Sequence, residues 1–294
     1  MKIIITGSLG NVGKPLTQQL ASADHDITVI SSNPSKKGEI ESLGAKAAIG
    51  SITDADFLIN IFKGADAVFA MTPPNAGNEN IVKNTIDIGK NYAEAVKSNS
   101  IKRVVMLSSI GAESPVENGP IKSLHRIEEF YNKLEGSSVT FLRAGYFYIN
   151  LFNDIPLIKN AGIMGANYPG NISIPLVHPN DIAKAAAEEL LKNPAGKNIR
   201  YIVSDFRQPV DISKTLGMAI GKPELPWAEF SDEESLSGML QAGLSKEIAE
   251  LYTEMGKGLR TGIVQKDFME HRATVDGKIK LEDFAEEFAA KFNS

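Results

Sequence analysis

The stretch Met1 to Gly13, MKIIITGSLGNVG, constrains the fold more than any other part of the chain. Lys2 to Thr6 reads as a strand, Gly7, Gly10 and Gly13 follow, and a helix is expected from about Asn11, with Val12, Leu16 and Leu20 as its buried stripe. A strand that turns at once into a helix needs residues without a Cβ, and Gly7 and Gly10 supply them. The same absence lets a pyrophosphate reach backbone N–H groups at the positive end of the helix. Gly13 allows the helix to pack close to the strand, and Pro15 falls in the first turn, where its missing N–H costs little. The spacing is GxxGxxG, and its setting between a strand and an apolar-periodic helix marks a dinucleotide cradle made of Gly7, Ser8, Leu9, Gly10, Asn11, Val12 and Gly13.

The chain has 294 residues, enough for one large or two modest domains with a sizeable core. A net charge of −5 gives no electrostatic case for nucleic acid or an anionic membrane as partner. The absence of cysteine excludes disulfides, thiolate nucleophiles and Cys-ligated metals, and fits a reducing compartment. The N-terminal apolar run is too short for a signal peptide and no segment reaches transmembrane length, so the expected location is cytoplasmic. His25, His125, His178 and His271 show no ligand spacing, and no serine sits in a GxSxG elbow, which argues against metal catalysis and a serine hydrolase.

Asp26 to Ser31 reads as a second buried strand. An NAD-selective fold carries an acid at the carboxyl end of this strand, but here the acid is Asp26, at the other end and ~16 Å away. Ser32, Asn33, Lys36 and Lys37 offer hydroxyl, amide and cationic donors suited to a 2′-phosphate, so NADP(H) is expected and NAD(H) is the alternative; a solvated turn is the plainer reading. Leu43 to Gly50 reads as a third strand, Ser51 to Lys63 as a helix capped by Thr53 or Asp54, and Ala65 to Met71 as a fourth strand stopped by Thr72, Pro73 and Pro74. A helix from about Glu79 to Ser98, a strand from Lys102 to Ser108, a helix from about Pro120 to Leu134 and a strand from Ser138 to Arg143 follow. This alternation predicts an α/β fold, a Rossmann doubly wound parallel sheet with helices on both faces. Ser108 then lies at the sheet's carboxyl edge, either near a nicotinamide or as a turn serine bonding local backbone. Gly145, Tyr146, Phe147 and Tyr148 follow a strand end and read either as core or as the wall of a flat-ring pocket.

Beyond Asn150 the alternation weakens. A strand is expected at Asn171 to Val177, a helix at His178 to Lys192, a strand at Asn198 to Ser204, and mostly helix from Asp211. The expected organisation is a dinucleotide-binding domain over residues 1–150, taking in about 179–204, and a smaller, partly helical C-terminal substrate domain over 151–294. Trp227 reads as a core anchor.

TGSLGNVG at Thr6 to Gly13, SNP at Ser32 to Pro34, GSITD at Gly50 to Asp54, LRAGYFYIN at Leu142 to Asn150 and HPNDIA at His178 to Ala183 together resemble the NmrA-like atypical short-chain dehydrogenase/reductases, which include NADPH-dependent quinone reductases and isoflavone-reductase-like enzymes. The resemblance implies cofactor contacts from the glycine turn, from Ser32, Asn33 and Lys37, from Ile52, from Met71, Thr72 and Pro73, from Ser108, and from Gly145, Tyr146 and Phe147. Family members usually have arginine where this chain has Ser32. The superfamily's Tyr-x-x-x-Lys is absent, since Tyr131 is followed by Glu135 and Tyr92 by Val96 at the fourth position. His125 fills a helix position where many relatives carry lysine, which makes it the candidate acid by resemblance; the alternative is a helix histidine paired with Glu129.

The expected activity is hydride transfer from NADPH to a quinone, enone or other small conjugated carbonyl, a substrate that makes modest demands on proton donors. The alternative is a non-catalytic NADP-binding sensor that presents a changed surface to a protein partner. The sequence carries no reading of oligomeric state.

Overall fold

The computed structural model of the protein describes residues 1–73, 79–192, 194–271 and 273–294. In chain order the elements are β1 (Lys2–Ile5), α1 (Gly13–Ala21), β2 (Asp26–Ser31), α2 (Lys37–Ser42), β3 (Lys46–Ile49), α3 (Ala55–Ile61), β4 (Ala67–Ala70), α4 (Ile81–Ser98), β5 (Arg103–Ser109), α5 (Lys122–Asn132), β6 (Ser138–Ala144) and β7 (Tyr146–Phe147). There follow α6 (Ile155–Ala161), β8 (Met164–Ala166), β9 (Ile174–Val177), α7 (Pro179–Leu190), β10 (Lys197–Ile202), β11 (Asp205–Arg207), α8 (Pro209–Ala219), β12 (Trp227–Glu229), α9 (Asp232–Gln241), α10 (Lys246–Arg260), α11 (Lys266–Glu270) and α12 (Leu281–Asn293).

These elements form two compact units. The first comprises Met1–Ser109, Ser123–Arg143 and Ile182–Arg200; the second comprises Ile110–Lys122, Ala144–Asp181 and Tyr201–Ser294. The first is organised on a seven-stranded sheet in the order β10-β6-β5-β4-β1-β2-β3. The pairs β1·β2, β1·β4, β2·β3 and β4·β5 are parallel, with Ile4 opposite Thr28 and Val68. Parallel strands need helical crossovers that bury both faces, and consecutive β1 residues Ile3, Ile4 and Ile5 are all at 0% exposure. On one face Ile4, Val68, Val104 and Phe141 pack with Leu58 and Phe62 of the α3 region, Ile88 and Tyr92 of α4, and Ile127 and Tyr131 of α5. This is the expected doubly wound architecture, and the strand order reverses between β1 and β4, where such folds bind their ligands.

Local differences from the expected boundaries have local causes. The chain enters α1 at Gly13 rather than near Asn11, because Gly10 to Val12 form a turn whose Gly10 carbonyl accepts from the Lys14 N–H at 3.0 Å. The third strand starts at Lys46 rather than Leu43, because residues 43 and 44 close α2: their N–H groups donate to the Ile40 and Glu41 carbonyls, and Gly44 takes φ +81°. Asp54 is the cap of α3, accepting from the Phe57 N–H at 3.0 Å. Pro74, read from the sequence together with Thr72 and Pro73, lies outside the described residues.

The second unit holds a separate apolar core. Tyr148 stacks on Phe284 with ring centroids 5.2 Å apart, and Leu216 of α8 and Phe288 of α12 belong to the same cluster. Its strands form two small sheets, β11-β9-β7 and β12-β8, and Tyr146 and Phe147 run parallel to Leu176 and Val177. No helix among the described residues is long and apolar enough to cross a membrane.

Candidate functional site

The glycine turn sits at the reversal point of the first sheet. The Thr6 hydroxyl accepts from the Met71 N–H at 2.7 Å and donates to the Met71 carbonyl at 3.0 Å, tying the ends of β1 and β4 together. The buried Tyr92 hydroxyl also reaches the Met71 carbonyl, at 3.4 Å. The three glycines answer to three different constraints. Gly7 has φ +88°, and a Cβ there would lie 1.9 Å from the Met71 methyl. Gly13 is buried, and its Cβ would lie 2.1 Å from the Ser8 carbonyl oxygen, so the α1 start can approach the turn only without one. Gly10 is exposed, and the tightest contact of a Cβ there would be 3.3 Å, to the Gly7 carbonyl. A Cβ at Gly10 asks only a shift of a few tenths of an ångström from the Gly7 carbonyl, far less than one at Gly7 or Gly13 would ask of its neighbours.

Between these glycines the N–H groups of Leu9, Asn11 and Val12 find no backbone acceptor among the described residues, whereas that of Ser8 donates to the Ile30 carbonyl at 3.1 Å. Unclaimed N–H groups before the first turn of a helix form a site for an anion. The turn therefore fits a pyrophosphate. Val12 is 2% exposed, so only its backbone is available there, while Leu9 is half-buried and Asn11 exposed.

At the end of β2 the Ser8 hydroxyl donates to the Ser31 hydroxyl at 2.9 Å, and the Asn33 N–H donates to the same oxygen at 3.2 Å. The Asn33 side chain caps the following 3-10 turn at Ser35, which occupies its carbonyl oxygen. Ser32 is exposed and has no hydrogen bond among the described residues. Lys36 and Lys14 both pair with Glu39, at 2.8 and 2.9 Å, and hold its carboxyl down at about 2. Lys37 lies 3.9 Å from Glu41. These pairs are exposed and weak, so the lysines stay available to a stronger anion. Ile52 is half-buried against the sheet core, and Met71, Thr72 and Pro73 are half-exposed after β4.

Ser108 bonds neither nearby backbone nor open solvent. It is buried, and its hydroxyl donates to Glu128 Oε1 at 2.6 Å; Glu128 in turn accepts from Arg143 at 3.1 and 2.7 Å. This buried cluster was not legible in the sequence, because its members lie far apart along the chain. His125 lies 3.8 Å from Glu129, one turn away on α5, which is the helix pairing that the sequence offered as the alternative to a catalytic role.

Gly145, Tyr146 and Phe147 belong to the second unit. Gly145 is buried, with a Cβ there only 2.6 Å from the Pro175 carbonyl oxygen, while Tyr146 and Phe147 are half-exposed. The second unit also contains a cleft of about 450 Å³, open solvent at its mouth included, lined by Tyr146, Asp154, Tyr168, Ile174, Ile212 and Trp227 among others. Asp154 gave no signal in the sequence. It precedes α6 without capping it. Burial alone pushes its carboxyl up to about 7.

That shift has a stability consequence. A carboxyl whose pKa is ~4 in the unfolded chain and higher in the folded one binds more protons when folded, so stability falls as pH rises from about 4 through about 7. Asp154→Asn is expected to leave stability unchanged near pH 4 and to raise it near pH 8 by at most ~4 kcal/mol, reduced by water reaching the cleft mouth. Thermal melts at the two pH values check this, and an equal change at both contradicts it.

Residues 7–138 match a family model described as NAD(P)H-binding. Over 86% of its length the chain is 24% identical to an NAD(P)H azoreductase of Xenophilus azovorans, covering 85% of that protein. Its fold is similar to that of an NADPH-dependent quinone oxidoreductase of Escherichia coli solved with NADPH, with a TM-score of 0.80 at 17% identity over 97% of this chain and 99% of the other. A triphenylmethane reductase of Citrobacter sp. also gives a TM-score of 0.80, at 18% identity over 99% of this chain and 100% of the other.

Proposed function

We infer, from a chain whose residues 7–138 belong to the NAD(P)H-binding family, that the protein is an NAD(P)H-dependent reductase passing hydride to a quinone or another small conjugated acceptor. The observation that carries this reading is the glycine turn, which presents unclaimed N–H groups at the sheet's reversal point. Similarity to the azoreductase and the quinone oxidoreductase supports reduction as the chemistry. In this reading the first unit binds the dinucleotide and the second carries the substrate determinants. The bound NAD(P)H supplies the hydride; the protein binds, orients and excludes water. A quinone asks for no strong acid, which suits a chain without Tyr-x-x-x-Lys.

NADP(H) is the proposed cofactor over NAD(H), because no acid stands at the end of β2 and Ser32, Lys36 and Lys37, which follow it, offer a hydroxyl and two cations to a 2′-phosphate. NADPH is expected to bind more tightly than NADH at low ionic strength, with the difference shrinking as salt screens the lysines. Calorimetric titrations in low and high salt measure it; equal affinities at low salt, or a preference for NADH, contradict it.

A second reading, a sensor that binds NADPH without turning it over, is favoured by the engagement of His125 with Glu129. Steady-state NADPH oxidation across a panel of quinones, enones and azo compounds separates the two. For a reductase, Phe147→Ala lowers turnover while cofactor affinity is kept, and His125→Ala slows enones more than quinones. A sensor oxidises NADPH no faster than the protein-free control with every acceptor.

A further inference from the structure

Three polar side chains lining the cleft of the second unit, Asp154, Tyr146 and Tyr168, make no hydrogen bond among the described residues. The Asp154 side chain makes no hydrogen bond and no ion pair among the described residues; the residue ends a 3-10 helix, Tyr148–Asp154, that runs directly into α6. Tyr146 and Tyr168 also line the cleft, and their hydroxyls are likewise without hydrogen bonds among the described residues. The one side-chain N–H in the lining, that of the Trp227 indole, already donates to the Tyr168 carbonyl at 3.2 Å. The lining thus offers one carboxyl, an acceptor when ionised, and two phenols, each able to donate or accept, with no cation among the lining residues. A cationic ligand would meet the ionised carboxyl directly, and the phenol oxygens can serve it as acceptors. The walls favour charge: Tyr168 and Trp227 stack with centroids 5.4 Å apart, and aromatic rings attract cations.

We propose that this cleft binds an organic ammonium ion, with Asp154 as its counter-charge and Tyr146, Tyr168 and Trp227 as its aromatic walls. The assignment does not rest on the reductase reading, since every residue it uses lies in the second unit. The ionisable groups lining the cleft are Asp154 from the segment before α6, Tyr146 from β7 and Tyr168 beyond β8; β9, α8 and β12 contribute apolar residues and the indole. Burial raises both phenols well above their ordinary range, so they stay neutral and Asp154 alone changes charge near neutrality. An ammonium ion in the cleft stabilises the ionised carboxyl, and the ion should therefore bind less well as pH falls through about 7.

The chain has a single tryptophan, Trp227, so its emission reports this cleft directly. The test is a fluorescence titration of the full chain, without nucleotide, using benzyltrimethylammonium chloride and the neutral benzyl alcohol. The ammonium probe carries a permanent charge, so any pH dependence belongs to the protein. We expect a saturable change near pH 8, with the ammonium bound about tenfold or more tighter than the alcohol. The preference should vanish in Asp154→Asn, be retained in part by Asp154→Glu, and weaken between about pH 8 and pH 6 in the wild type. Circular dichroism verifies that the variants are folded. Equal affinity for the two probes, tighter binding of the alcohol, an unchanged preference in folded Asp154→Asn, or a response that does not saturate would overturn the proposal. None of these outcomes bears on NADPH binding or oxidation, which are measured separately.

Discussion

Gly10→Val is expected to abolish NAD(P)H binding while leaving the protein folded. Each of the other two glycines confounds this test. A side chain at Gly7 must occupy φ +88° and collide with Met71, and one at Gly13 runs into the Ser8 carbonyl oxygen at 2.1 Å. Their variants would lose binding by losing the turn. Gly10 is different: it is exposed, its φ is ordinary, and its Cβ meets nothing closer than 3.3 Å. A branched side chain there lies over the open N–H groups of Leu9, Asn11 and Val12 and displaces the pyrophosphate from them. Calorimetric titration should give no measurable affinity for NADPH, and a thermal melt should stay within a few degrees of wild type. Retained affinity in a folded variant would remove the turn from the cofactor site.

The largest expected stability effect comes from the buried cluster behind β5 and β6. Arg143 and Glu128 are 6% and 7% exposed and meet in a two-point contact, with Ser108 as a further donor. Arg143→Leu leaves the buried Glu128 carboxylate without its cation, with the Ser108 hydroxyl still donating to it, and should cost about 3–5 kcal/mol. Adding Glu128→Leu removes the stranded charge, so the double variant should recover a large part of that loss rather than sum two losses. Urea unfolding of the two single variants and the double variant measures the coupling. Additive single losses would mean that the cluster acts only through packing.

The sequence and the structure agree where periodicity is long and diverge where it is short. β2 spans Asp26–Ser31 as expected, and α4 and α5 lie close to their expected ranges, each burying a continuous stripe. α2, β7, β8, β11 and β12 escaped the reading: β7, β8, β11 and β12 have only two or three residues and are created by tertiary pairing, and α2 is a short helix of six. The motif string that resembled NmrA-like reductases agrees with the NAD(P)H-binding match and with the fold of the quinone oxidoreductase. The glycine turn was legible because strand, turn and helix adjoin in the chain. Ser108, Glu128 and Arg143 were not, because β5, α5 and β6 assemble them from separate elements. Asp154 was illegible for another reason: its burial comes from the fold of the second unit, which no local pattern announces.

The most direct test of the central claim is a single-turnover experiment. The protein, saturated with NADPH, is mixed anaerobically with excess quinone, and the loss of reduced nicotinamide absorbance is followed against the same mixture without protein and against Gly10→Val. A reductase predicts a decay whose rate saturates with quinone, far exceeds the protein-free rate and disappears in Gly10→Val. A protein that binds NADPH yet shows only the protein-free rate, with quinone and with every other acceptor tried, would contradict the account.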